Sequence, residues 1–90
     1  SWFVVSIYGE LKDINGNPLV GAPVEVFRVD TGDKIWTGVT NNDGYYETGE
    51  LWLRPQMIMT NVNVDDPAQR NTLFPVHFPG DDRYNEAWSN

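Results

Sequence analysis

Ninety residues bury roughly 60 % of the surface their unfolded chain exposes, enough for a single domain and no more. With no cysteine there is neither a disulfide nor a thiolate metal site, so apolar packing has to hold the fold, and four Trp, four Tyr and four Phe are the material for it. A net charge of −7 repels phosphate backbones and anionic bilayers, which argues against nucleic acid as a partner, and no apolar run approaches the ~20 residues that span a membrane.

The first segment, WFVVSIYGEL at residues 2–11, is rich in β-branched and aromatic residues and predicts a strand. Phe3, Val5 and Ile7 fall on one face and Trp2 and Val4 on the other, so the strand is apolar on both sides where an ordinary edge strand is polar on one. DINGNPLVGAP supplies turn chemistry and leads to a second strand, VEVFRV, in which Val24, Val26 and Arg28 alternate with Glu25, Phe27 and Val29. DTGD then turns into KIWTGVT, and Asp43-Gly44 before YYET reads as a hairpin. ELWLRP, MIMTNVNV and TLFPVHF predict further short strands, divided by the acidic DDPAQRN stretch. No helical period persists over three turns; DDRYNEAWSN at the end predicts a turn of helix or a loose tail. Six to eight short strands with Gly, Pro and Asn turns point to an all-β, two-sheet sandwich.

The run IYGELKDINGNPLVGAPVEVFRVDTGD, followed by GVTNNDGYYET, resembles the opening of a transthyretin-like (carboxypeptidase regulatory-like) domain. LWLRPQMIMTNV and NTLFPVHFPGDDRYNEAW are similar to the segment of intradiol ring-cleaving dioxygenases in which Arg-Pro precedes two histidines at alternate positions and a later strand ends in Phe-Pro-Gly-Asp. The resemblance covers nearly the whole chain and implies a transthyretin-like (prealbumin-like) sandwich of about seven strands. It also implies where a ferric ion would be held, by two histidines and two tyrosines. Met57 and Met59 occupy the histidine positions, and a thioether is a poor donor to a hard ferric ion. The tyrosine positions match Asp33-Lys34 and Gly49-Glu50-Leu51, with no tyrosine at either. Tyr45 and Tyr46 are expected to pack. Arg54 matches the Arg-Pro, and apolar replacement of the ligands predicts Met57 or Met59 buried in a closed cleft.

The rest of the sequence offers little chemistry. His77 is the only histidine, set among apolar neighbours in FPVHF, and is read as a packed or hydrogen-bonded residue. No nucleophile, base and orienter pattern accompanies Ser1, Ser6 or Ser89. The acidic pairs Asp65-Asp66 and Asp81-Asp82 are weak calcium candidates without EF-hand spacing, and adjacent carboxylates lack the separation that glycosidases use. No Asn-x-Ser/Thr sequon occurs, and no cofactor is expected.

These readings together predict one domain over residues 1–90, with 1–8 an exchanged or donated strand and 81–90 a tail. The expected function is a non-catalytic structural module that associates with itself into filaments by β-strand addition, through Trp2, Phe3, Val4, Val5 and Ile7, with Tyr84 and Trp88 as partners. Because the chain opens on Ser1, a cleaved export signal and an extracellular or cell-surface setting are expected. The alternative is a carbohydrate-binding module that stacks sugars on Trp2, Trp36, Trp52 or Trp88. A degenerate dioxygenase-like enzyme ranks third.

Overall fold

Alternating side chains along the early strands sort into two layers in the computed structural model, which describes residues 2–54 and 73–89. The strands are β1 (Phe3–Val5), β2 (Tyr8–Glu10), β3 (Pro23–Phe27), β4 (Lys34–Val39), β5 (Tyr45–Glu47), β6 (Leu51–Leu53), β7 (Val76–Phe78) and β8 (Ala87–Trp88). All pairings are antiparallel. One layer is a four-stranded sheet in the order β4-β3-β7-β8. The other is a ribbon, β1 with β6 and β2 with β5, whose two halves follow one another along the chain.

The ribbon corrects the expectation of a single strand over residues 2–11. Val5 pairs with Leu51 and Tyr8 with Glu47, so two residues on one side must match three on the other. The surplus is absorbed as a bulge at Gly49, whose φ of 70° suits a residue without a Cβ. Thr48 closes the gap: its Oγ1 accepts from the Ile7 amide at 3.0 Å, and its own amide donates to the Ile7 carbonyl at 2.9 Å.

Asp43-Gly44 is likewise not a hairpin. The strands on either side of it belong to different layers, so the turn is the corner where the chain leaves the sheet for the ribbon. Asn41 builds it, its Oδ1 accepting from the Asp43 and Tyr45 amides at 2.9 and 3.0 Å. Gly44, at φ 73°, sits so close to Leu11 that an added Cβ would lie 2.6 Å from its carbonyl oxygen. The DTGD turn does make the β3–β4 hairpin, with Arg28 donating its amide to the Asp33 carbonyl. The C-terminal segment holds the short edge strand β8 where a helical turn or loose tail was expected. Eight short strands are described; MIMTNVNV and DDPAQRN, with Met57 and Met59, lie outside the described residues.

Facing side chains fill the space between the layers. From the sheet come Val24 and Val26, both essentially inaccessible, with Val76 and Phe78. Phe3, Val5, Ile7 and Leu53 of the ribbon pack against Val26 together with Leu73 and Phe74, while Leu11 joins a smaller cluster of Leu19, Ala22 and Phe78. A buried ion pair marks one end of this seam. Arg28 donates through Nε and Nη2 to the two carboxylate oxygens of Asp30, both at 2.7 Å, and through Nη2 to the Arg54 carbonyl at 2.8 Å, which ties β3 to the end of β6. The Asp30 side chain is only 2 % exposed.

Hydrogen bonding from Arg28 holds the Asp30 carboxyl below its ordinary value. A depressed carboxylate pKa stabilises the fold above the unfolded-state value, and that contribution is lost as pH falls through the folded value. Asp30→Asn is therefore expected to cost about 1.5–3 kcal/mol at pH 7, the range for losing hydrogen bonds to a charged group while Arg28 keeps the Arg54 carbonyl. Urea denaturation measures it, with the gap to the parent protein closing as pH drops below the carboxylate range. Equal midpoints at pH 7 would contradict the role given to the pair.

Candidate interaction surfaces

Because the inner face of the ribbon is committed to the seam, alternation sends its other residues outward. Trp2, Val4, Tyr8 and Trp52 are all exposed. Val4 lies directly opposite Trp52 in the β1–β6 pairing, and the Arg54 guanidinium stands 4.8 Å from the centroid of the Trp2 ring. The result is an outward patch of two tryptophans and a valine on a chain with a charge of −7. β1 pairs with no strand other than β6 among the described residues.

The residues singled out from sequence thus divide. Trp2 and Val4 reach the surface, whereas Phe3, Val5 and Ile7 are half-buried and belong to the seam. Tyr84 and Trp88 are exposed. Tyr84 donates its hydroxyl to Asp13 at 3.3 Å and its amide to Asp81 at 3.0 Å, joining two turns. Trp88 lies on the outer face of the sheet, turned away from the ribbon. Of the calcium candidates, Asp65 and Asp66 lie outside the described residues, and Asp82 is exposed. Asp81 is engaged: Arg83 binds it through its guanidinium at 2.8 Å and its amide at 2.8 Å, and these bonds lower its pKa.

The outer face of the sheet carries a second constellation. Register places Glu25 opposite His77 and His77 opposite Trp88. His77 Nδ1 lies 2.7 Å from Glu25 Oε1, and Nε2 lies 2.9 Å from Glu86 Oε2. Lys34 of β4 pairs with the other oxygen of Glu25. The Trp88 indole stacks on the imidazole with centroids 4.1 Å apart, and Phe27 tilts against that indole at 5.4 Å. Burial works to lower the His77 pKa, but hydrogen bonds to Glu25 and then to Glu86 outweigh it and raise the value above 6.5.

Between the layers, on the side of the edge strand, the seam opens into a cavity of about 490 Å³. Leu11, Val24, Val76 and Phe78 supply apolar lining, Tyr46 contributes from the ribbon, and Ala87 and Trp88 of β8 line it with Ser89 just beyond. Burial raises the Tyr46 pKa, so its hydroxyl stays protonated at neutral pH. Tyr45 and Tyr46 sit in β5 opposite Glu10 and Gly9.

Sequence reasoning found His77 but not its partners. Glu25 is 52 positions away and is brought to it only by the β3–β7 register. Glu86 and Trp88 were legible in principle, since alternate positions of a strand share a face, but that required reading the tail as extended. Arg54 over Trp2 follows from the β1–β6 register in the same way. No known protein family, curated protein or solved structure matches the chain.

The surroundings of the four tryptophans differ enough to measure. Trp36 packs on the core cluster, whereas Trp2, Trp52 and Trp88 are more than half exposed. Trp36→Phe is expected to remove the bluest, least acrylamide-quenched part of the emission, and Trp52→Phe the reddest. An unshifted spectrum after Trp36→Phe would show the assignment to be wrong.

Proposed function

We propose that this chain is a non-catalytic module that associates with copies of itself through the outer face and open edge of the β1–β6 ribbon. The observation that carries the reading is the exposed grouping of Trp2, Val4 and Trp52 on an acidic surface, next to a strand paired on one side only among the described residues. Aromatic side chains surrounded by polar surface are characteristic of protein interfaces. Strand addition along β1 would add main-chain hydrogen bonds to that apolar contact, with Trp2 and Val4 giving it specificity. If each copy offers a donor edge at one place and an acceptor at another, the contact repeats into an open filament.

As to ancestry, the reading is a transthyretin-like sandwich of the dioxygenase type that has kept the scaffold without the iron. Lys34, at one position where the resemblance implies a tyrosine ligand, is paired with Glu25. At the other, Gly49 forms the ribbon bulge. Both positions serve the architecture.

Glycan binding is the second reading, and the geometry favours it less. The tryptophans do not form one stacking platform: Trp36 packs on the core cluster, and Trp88 lies on the outer face of the sheet, apart from Trp2 and Trp52 on the ribbon. Sedimentation velocity over a concentration series tests self-association. The parent protein is expected to grow beyond 10.3 kDa as concentration rises, and Val4→Lys/Trp52→Lys to remain a folded monomer at all concentrations. A parent protein that stays monomeric into the millimolar range, or a double variant that associates equally well, overturns the proposal.

A further inference from the structure

The position of His77 links the chemistry of one side chain to a lightly held wall of the interlayer cavity. β8 is two exposed residues long and lies at the edge of the sheet. Beyond its two register pairs, it is held by the Ser89 amide donating to the Val76 carbonyl at 2.8 Å and by the Ser89 hydroxyl accepting from the Val76 amide at 2.9 Å. A side-chain oxygen thus stands in for a ladder carbonyl at the last position. The firmest attachment on its outer side is the bridge through His77 to Glu86, with Trp88 stacked on the ring.

That bridge depends on protonation for a geometric reason. Both imidazole nitrogens face carboxylate oxygens, and only the imidazolium can donate from both. In the neutral ring one nitrogen presents a lone pair, so one charge-assisted hydrogen bond becomes a repulsive contact. Anchoring decides which. The Glu25 side chain is 17 % exposed and also holds Lys34, whereas that of Glu86 is 65 % exposed. The Glu25 bond therefore survives and the Glu86 bond is lost, along with the cationic part of the attraction to the indole.

We propose that the Glu25, His77 and Glu86 bridge is a latch that keeps β8 in place as the side wall of the cavity and frees it when the imidazole loses its proton. The charged groups that act on the ring are Glu25 from β3, Lys34 from β4 through Glu25, and Glu86 from the segment before β8; Phe27 and Trp88 add only aromatic surface. Since the two glutamates raise the folded-state pKa of His77, the latch is fully engaged below the unfolded value of about 6.5 and is lost as pH rises through the folded value. Release would open the apolar space behind Ala87 and Ser89 and leave the β7 edge unpaired.

As the sole histidine, His77 gives a single imidazole titration by NMR, read beside amide exchange at Ser89 corrected for intrinsic rates. The expected result is a midpoint above 6.5, with protection of the Ser89 amide falling at least about fivefold through the same pH range, the change that one net hydrogen bond produces. Amides of β3 should keep their protection. Glu86→Gln, at an exposed site that leaves the core untouched, is expected to lower the midpoint and reduce Ser89 protection already at pH 6. Equal Ser89 protection on both sides of the titration, or a midpoint unmoved by Glu86→Gln, overturns the latch. Neither outcome bears on whether the ribbon mediates self-association.

Discussion

The seam between Val26 on the sheet and Phe3, Val5 and Ile7 on the ribbon is the constraint from which the rest of the structure follows. A small domain without disulfides has little stability to spare, and a two-stranded ribbon alone is marginal in water. Each layer is therefore stable only against the other. The seam fixes the register of every strand that contributes to it, because a one-residue slip would turn Val24 and Val26 outward and Glu25 inward. The bulge at Gly49, the corner at Asn41–Gly44 and the buried Arg28–Asp30 pair all serve to keep those faces opposed.

Once the inner faces are committed, the outer faces are determined as well. On the ribbon, the same alternation that turns Phe3 and Val5 inward exposes Trp2, Val4 and Trp52. On the sheet, the register that turns Val76 and Phe78 inward brings His77 beside Glu25 and under Trp88. The two surfaces differ in kind. The ribbon's is apolar and suits contact with another protein surface, while the sheet's is charged, satisfied within the chain and sensitive to protonation. The proposed self-association accordingly rests on the first and the proposed latch on the second.

Much of the architecture was legible in the sequence. Alternation in WFVVSIYGEL and VEVFRV gave the all-β class, the two apolar faces of β1 and the inward set of β3. What local pattern does not carry is pairing. The Asp43-Gly44 turn looks the same whether its flanking strands pair with each other or part to different layers, and only the β2–β5 and β3–β4 partnerships decide. The break between β1 and β2 comes from a surplus residue on the opposite strand, which is invisible in residues 2–11 themselves. The tail misled because a two-residue strand is too short to show a period. In the same way, His77 stood out as a lone titratable group, while the carboxylates that define its chemistry come from elsewhere in the fold.

The central claim is that the outward ribbon face is the working surface, and site-resolved hydrogen exchange at low and high protein concentration tests it most directly. The account predicts slower exchange on concentrating the protein at the amides of residues 2–5 and 51–54, with β3 and β4 unchanged. Exchange that is independent of concentration across the ribbon, or slowing confined to β4 or β8, would contradict it.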